Sequence, residues 1–169
     1  LLDGFKGHTS YLRLNHYPLC HDPAPADTPT GANRGHLGIS HHSDAGAVTI
    51  LLQDGQPGLQ VERGGKWHNI SAERGSILVN IGDVVQVWSN DRYIAPVHRV
   101  LASNHAVRYS APSFLNPSFE ATYGPLPGTV KDKASLYRPI SWKDFREGRA
   151  AGDYADYGHE IQISDYRIT

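Results

Sequence analysis

The stretch Ala47–Ile70, AVTILLQDGQPGLQVERGGKWHNI, holds three short runs divided by turn residues. Ala47–Gln53 is apolar and rich in β-branched and leucine side chains. Leu59–Arg63 and Lys66–Ile70 flank Gly64-Gly65, a two-residue turn of the kind that closes a hairpin. The same punctuation continues on both sides. Upstream stand Tyr11–Tyr17, where leucines alternate with polar residues, and Leu37–His41. Downstream stand Ser76–Asn80, Val84–Trp88, Val97–Leu101 and Arg108–Leu115. Pro18–Gly35 is too polar and too broken by Pro and Gly to be a core element. Strands spaced by roughly 8–12 residues with turn signals between them predict a mostly β sandwich or barrel, not a parallel α/β sheet.

The character changes after Asn116. Ser141 is placed to cap a short helix, Trp142–Arg149, with Trp142, Phe145 and Arg149 along one side. Ile161–Ile168 alternates again, like a strand, and is expected to pack back on the body. No internal repeat is present.

The 169 residues suit one domain, which should bury roughly 70% of its unfolded surface. Sixteen Lys and Arg against seventeen Asp and Glu give a net charge of −1, without the basic excess that nucleic acid or an anionic membrane demands. No run approaches the ~18 apolar residues of a membrane span. The single Cys20 cannot close an internal disulfide, so a cytoplasmic location is expected. Asn69-Ile70-Ser71 is a glycosylation tripeptide of the kind that arises often by chance. Methionine is absent, which suggests a piece of a longer product.

Ten histidines point to metal chemistry. In His42-Ser43-Asp44 the first and third residues of an extended segment project to one side and can grip one ion together. His98, on a distant strand, is the candidate third ligand. Two imidazoles and a carboxylate on one face leave three octahedral positions open, which suits non-haem Fe(II) holding an organic co-substrate and O₂. A structural zinc site would want four protein ligands, usually with thiolates. His-x-Asp is a common tripeptide, however, and a weak zinc cluster of His36, His41 and His42 is the competing arrangement. His41 should face away from the ion, and His36, His68, His105 and His159 read as surface or loop residues.

Arg108 and Ser110 share one face of their strand. A guanidinium fork beside a hydroxyl is matched to a carboxylate. The alternative is an arginine paired with Asp or Glu inside the fold. Asn15 and Tyr17 have the same spacing on the first strand and are placed to touch the same ligand, or to be ordinary half-buried strand residues. Strand parity adds Phe114, Gln86 and Trp88 as substrate-pocket residues.

The segments NHYP (15–18), HHSDAG (41–46), LLQDGQPGLQV (51–61), NIGD (80–83), HRV (98–100) and RYSAPSFLNP (108–117) occur in that order. Together they resemble the catalytic domain of the 2-oxoglutarate- and Fe(II)-dependent dioxygenases of the isopenicillin N synthase-like superfamily. The resemblance implies a double-stranded β-helix, a jelly-roll barrel, with a short C-terminal helical tail. It assigns Fe(II) to His42, Asp44 and His98, and the distal carboxylate of 2-oxoglutarate to Arg108 and Ser110, with Tyr17 and Asn15 nearby. Gly46 and the Asn80–Asp83 turn look like scaffold. The implied organisation is 1–10 as the end of a missing N-terminal region that would buttress one sheet, 11–117 as the barrel, and 118–169 as an extension packing on it.

The implied reaction couples O₂-dependent decarboxylation of 2-oxoglutarate to succinate with hydroxylation, desaturation or ring closure of a small organic substrate. Two alternatives remain: an Fe(II) oxidase of the same fold that uses no 2-oxoglutarate, and a non-enzymatic jelly-roll binding module.

Overall fold

The computed structural model describes residues 2–32, 34–130, 134–154 and 161–168. Strands β1 (Tyr11–Leu12), β2 (Asn15–Tyr17), β3 (Leu37–His42), β4 (Val48–Gln53), β5 (Leu59–Arg63), β6 (Lys66–Asn69) and β7 (Ile77–Ile81) come first. Helix α1 (Asp83–Trp88) then precedes β8 (His98–Leu101), β9 (Arg108–Leu115), β10 (Thr122–Tyr123), β11 (Ile140–Ser141) and helix α2 (Trp142–Tyr154).

Two antiparallel sheets form the barrel. One runs β1-β9-β4-β7, with β2 also on β9, and the other runs β3-β8-β5-β6. They close on each other through Tyr17, Leu59 and Val100, with Ile39, Leu51 and Leu78 packed around them. This is the jelly-roll architecture expected. Gly64 and Gly65 have φ of 60° and 74°, which a mirror-image hairpin turn requires, and Arg63 lies opposite Lys66.

Period-two alternation decides what each strand gives to the interior. On β4, Thr49 faces inward and is buried, whereas Ile50 and Leu52 face outward and are exposed, as are their β7 partners Val79 and Ile77.

Several expectations are corrected. Tyr11–Tyr17 is two strands rather than one, because Arg13 lies opposite Pro112. The Arg13 amide donates to the Pro112 carbonyl at 3.0 Å, but proline has no N–H to return the bond. Val84–Trp88 is not a strand but the body of α1. An apolar run this short fits either period, and the helical one wins because Val84 and Val87, three apart, are both fully buried. The helix Trp142–Arg149 continues to Tyr154. Trp142, Phe145 and Arg149 are buried along it, and the Asp144 amide donates to Ser141 Oγ at 3.3 Å. The alternating segment Ile161–Ile168 holds a 3₁₀ turn, Ile163–Tyr166, and no strand. It does pack back on the body through buried Ile163.

The second core sits at that end. Trp142, Phe145, Ile140, Tyr137 and Tyr123 pack with Ala47, Val84 and Val87. The tail therefore rests on α1 and on the start of β4. The loop between β2 and β3 is held by buried Arg99, which donates to the carbonyls of Thr28 and Ala26 at 2.7 and 2.9 Å.

Candidate functional site

His42 ends β3 and His98 begins β8, and the two are register partners. Asp44 lies just beyond β3, buried. One ligand atom from each of these three residues falls within 4.8 Å of the others. His42 Nε2 and His98 Nε2 stand 3.7 and 3.6 Å from Asp44 Oδ1.

The surroundings fix which atoms are offered. His42 Nδ1 is 2.8 Å from the Ser40 carbonyl and His98 Nδ1 is 3.1 Å from that of Pro96. A carbonyl only accepts, so both Nδ1 atoms carry the proton and both Nε2 atoms present lone pairs inward. Burial, and then the neighbouring His98, lower the His42 pKa and favour its neutral, ligating form. Asp44 Oδ2 accepts from Thr49 Oγ1 at 2.6 Å and from Asn80 Nδ2 at 2.8 Å. Its Oδ1 is left facing two imidazole lone pairs. Three acceptors converging on one point form a site that a cation relieves, and the set fits Fe(II) with open positions.

Helix α1 holds this loop from behind. The amides of Asp83 and Val84 donate to the carbonyls of Asp44 and Gly46 at 2.8 and 3.1 Å. The approach is so close that a Cβ on Gly82 would stand 2.2 Å from the Gly46 carbonyl oxygen. From the other side, buried Arg149 on α2 donates to the Ser43 carbonyl at 2.9 Å.

His42, Asp44 and His98 line an inner pocket with Arg108, Ser110, Asn15 and Tyr17. Arg108 is buried, and its guanidinium carbon lies 4.9 Å from the Tyr17 ring centroid. Its Nη2 donates to Gln53 Oε1 at 2.8 Å, whereas its Nε and Nη1 have no protein partner. The internal Asp or Glu partner weighed for Arg108 is therefore not found among the described residues. Asn15 Nδ2 donates to Ser110 Oγ at 3.2 Å, and the Tyr17 hydroxyl is 3.5 Å from the same atom. Buried donors left open beside a hydroxyl fit a carboxylate.

Phe114 lines the same pocket. Gln86 and Trp88 do not, because helix α1 turns them elsewhere. Gln86 donates to the Tyr137 hydroxyl at 2.9 Å and accepts from the Ala95 amide at 2.8 Å. Trp88 meets Phe5 edge-on, ring centroids 5.8 Å apart. His41 stands outside the triad, His36, His68 and His105 are exposed, and His159 lies outside the described residues.

Thr49, Gln53 and Asn80 are the participants that sequence reasoning missed. Strand parity carried a signal for two of them, since Thr49 and Gln53 share the inward face of β4. Asn80, read as scaffold, in fact touches Asp44.

Known proteins are similar to this chain. The model of the 2OG-Fe(II) oxygenase superfamily matches residues 8–117. The 2-oxoglutarate-dependent dioxygenase 11 of Oryza sativa subsp. japonica is 38% identical over 146 residues, which are 86% of this chain and 38% of that protein. JOX2, solved in complex with 2OG, Fe and JA, superposes with a TM-score of 0.71 at 34% identity, covering 82% of this chain and 38% of JOX2. The dioxygenase for auxin oxidation in rice gives a TM-score of 0.75 at 25% identity, covering 94% of this chain and 51% of that one. The chain thus spans about half the length of these proteins or less.

Proposed function

The chain belongs to the 2OG-Fe(II) oxygenase superfamily, and we propose that it carries the catalytic barrel of an Fe(II)- and 2-oxoglutarate-dependent dioxygenase acting on a small organic molecule. The observation that carries this reading is the single pocket shared by the His42–Asp44–His98 triad and an arginine with two buried, open donor nitrogens.

His42, Asp44 and His98 would hold the iron. Arg108 and Ser110 would hold the far carboxylate of 2-oxoglutarate. Bound Fe(II) with 2-oxoglutarate and O₂ supplies the oxidising power, releasing succinate and CO₂ while a substrate C–H bond is oxidised. The chain's own part is placement. Thr49 and Asn80 fix the Asp44 carboxylate, Gln53 and the Tyr17 ring fix Arg108, and Leu51, Leu59, Leu78 and Val100 keep the inner pocket apolar. In that setting the Arg108 charge is poorly hydrated and its attraction for a carboxylate is strengthened.

Residues 11–117 form the barrel in this reading and 118–169 an extension upon it. The outward apolar side chains Ile50, Leu52, Ile77 and Val79 form an exposed patch on the paired strands β4 and β7. The test is succinate formation from 2-oxoglutarate by the longest obtainable form of the protein. Production should require Fe(II) and O₂ and vanish in His98→Ala. Succinate formation that survives His98→Ala overturns the reading.

A further inference from the structure

The inner pocket opens into an outer cleft of about 350 Å³, within the range of small-molecule sites. Arg13, Ile39, His42, Asp44 and Phe114 line both, so the cleft ends at the proposed metal site. Arg108 lines only the inner pocket. Arg146 and Arg149 line only the cleft.

Three arginines thus converge on the cleft in a chain whose net charge is −1. Arg149 is engaged inside the fold, donating to Ser43 and Gln162 and standing 3.8 Å from Asp83. Arg13 and Arg146 are different. Among the described residues neither has a side-chain hydrogen bond or an ion pair. Among the described residues Asp44 is the one carboxylate lining the cleft, and its oxygens already face Thr49, Asn80 and the two imidazoles.

Arg13 is also held in place. Its guanidinium carbon lies 5.3 Å from the Phe114 ring centroid, and Tyr11 stacks on Phe114 with centroids 4.8 Å apart. An apolar wall beside two uncompensated guanidinium groups defines a ligand with an apolar body and a planar anionic end.

Resting on the dioxygenase reading of the site, we propose that the substrate is a carboxylic acid whose carboxylate is held by Arg13 and Arg146, with its apolar body against Ile39 and Phe114. Anchoring at the cleft's cationic end sets which C–H bond reaches the metal site. The reaction is then selective for position along the acid's skeleton.

The test is calorimetric binding of trans-cinnamate, phenylacetate and cyclohexylacetate, each paired with its primary amide. The titrations are run on the chain alone and again, without oxygen, with Fe(II) and 2-oxoglutarate present. At least one acid should bind about tenfold or more tightly than its amide, as expected for loss of a charge-assisted hydrogen-bond pair. The Arg13→Gln/Arg146→Gln double variant should erase that preference while 2-oxoglutarate uptake stays as it was. The proposal is overturned if no acid outbinds its amide, or if the preference survives in the double variant, which would make these arginines solvated surface charges. If instead 2-oxoglutarate uptake fails while the acid preference holds, the dioxygenase reading falls and the carboxylate site stands.

Discussion

Asp44 divides its two oxygens between tasks. Oδ2 is saturated by Thr49 and Asn80, which leaves Oδ1 for the ion. Thr49→Val keeps the shape and removes one of these bonds. Loss of a group that orients a ligand typically weakens metal binding by about 10–100-fold. Fe(II) titration of Thr49→Val should show that loss with the circular dichroism spectrum unchanged, and an unaltered affinity contradicts the assignment. Arg108 is the second case. Arg108→Ala removes the open Nε and Nη1 donors and should raise the 2-oxoglutarate concentration for half-saturation by about 10-fold or more, with Fe(II) affinity retained. The triad was legible because His-x-Asp needs only strand parity to bring two ligands together. The supports of Asp44 were not, because Asn80 reaches it only through the antiparallel register that sets Thr49 opposite Asn80. A spacing in one strand says nothing about the strand that will lie beside it.

Helix α1 is the element that the sequence pattern concealed, and it is also the one that fixes the metal loop. VVQVW is rich in β-branched residues and reads as a strand, but tertiary packing of Val84 and Val87 against the α2 cluster favours a helix. The price of the misreading was two false pocket residues, Gln86 and Trp88. Gly82 shows how tightly α1 meets the loop. Gly82→Ala would force a Cβ to within 2.2 Å of the Gly46 carbonyl oxygen, a backbone atom that cannot swing aside. A destabilisation of about 1–3 kcal/mol is expected from such overpacking, measurable by urea unfolding. A wild-type midpoint in that variant would show that α1 does not press on the loop as described. From α2, Arg149→Ala should lower Fe(II) affinity by releasing the carbonyl of Ser43, the residue between the proposed ligands His42 and Asp44.

The second core joins barrel and tail into one body, and the phenols in it link its stability to pH. The Tyr137 hydroxyl is pushed up to about 12, chiefly by burial and then by its bond to Asp91. A phenol whose pKa is higher folded than unfolded contributes stability that is complete below the unfolded value of about 10 and lost as pH rises through the folded one. Unfolding free energy should therefore fall between about pH 10 and 12, and less steeply in Tyr137→Phe; an equal slope would place the titration elsewhere. Tyr123 and Tyr166, also raised by burial, keep part of the slope. The mostly β class, the Gly64-Gly65 hairpin and the pairing of His42 with Asp44 on one side could be read from local periodicity and turn residues. The tail's docking could not, because Ile161–Ile168 alternates like a strand yet is held by contacts with α2 and Tyr137. The most direct measurement is anaerobic visible absorption of the purified chain, titrated with Fe(II) and then with 2-oxoglutarate. A charge-transfer band should appear only with both, be absent in His98→Ala, and need more 2-oxoglutarate in Arg108→Ala. Iron uptake with no band at any 2-oxoglutarate concentration, or a band indifferent to His98, would contradict the assignment of this pocket.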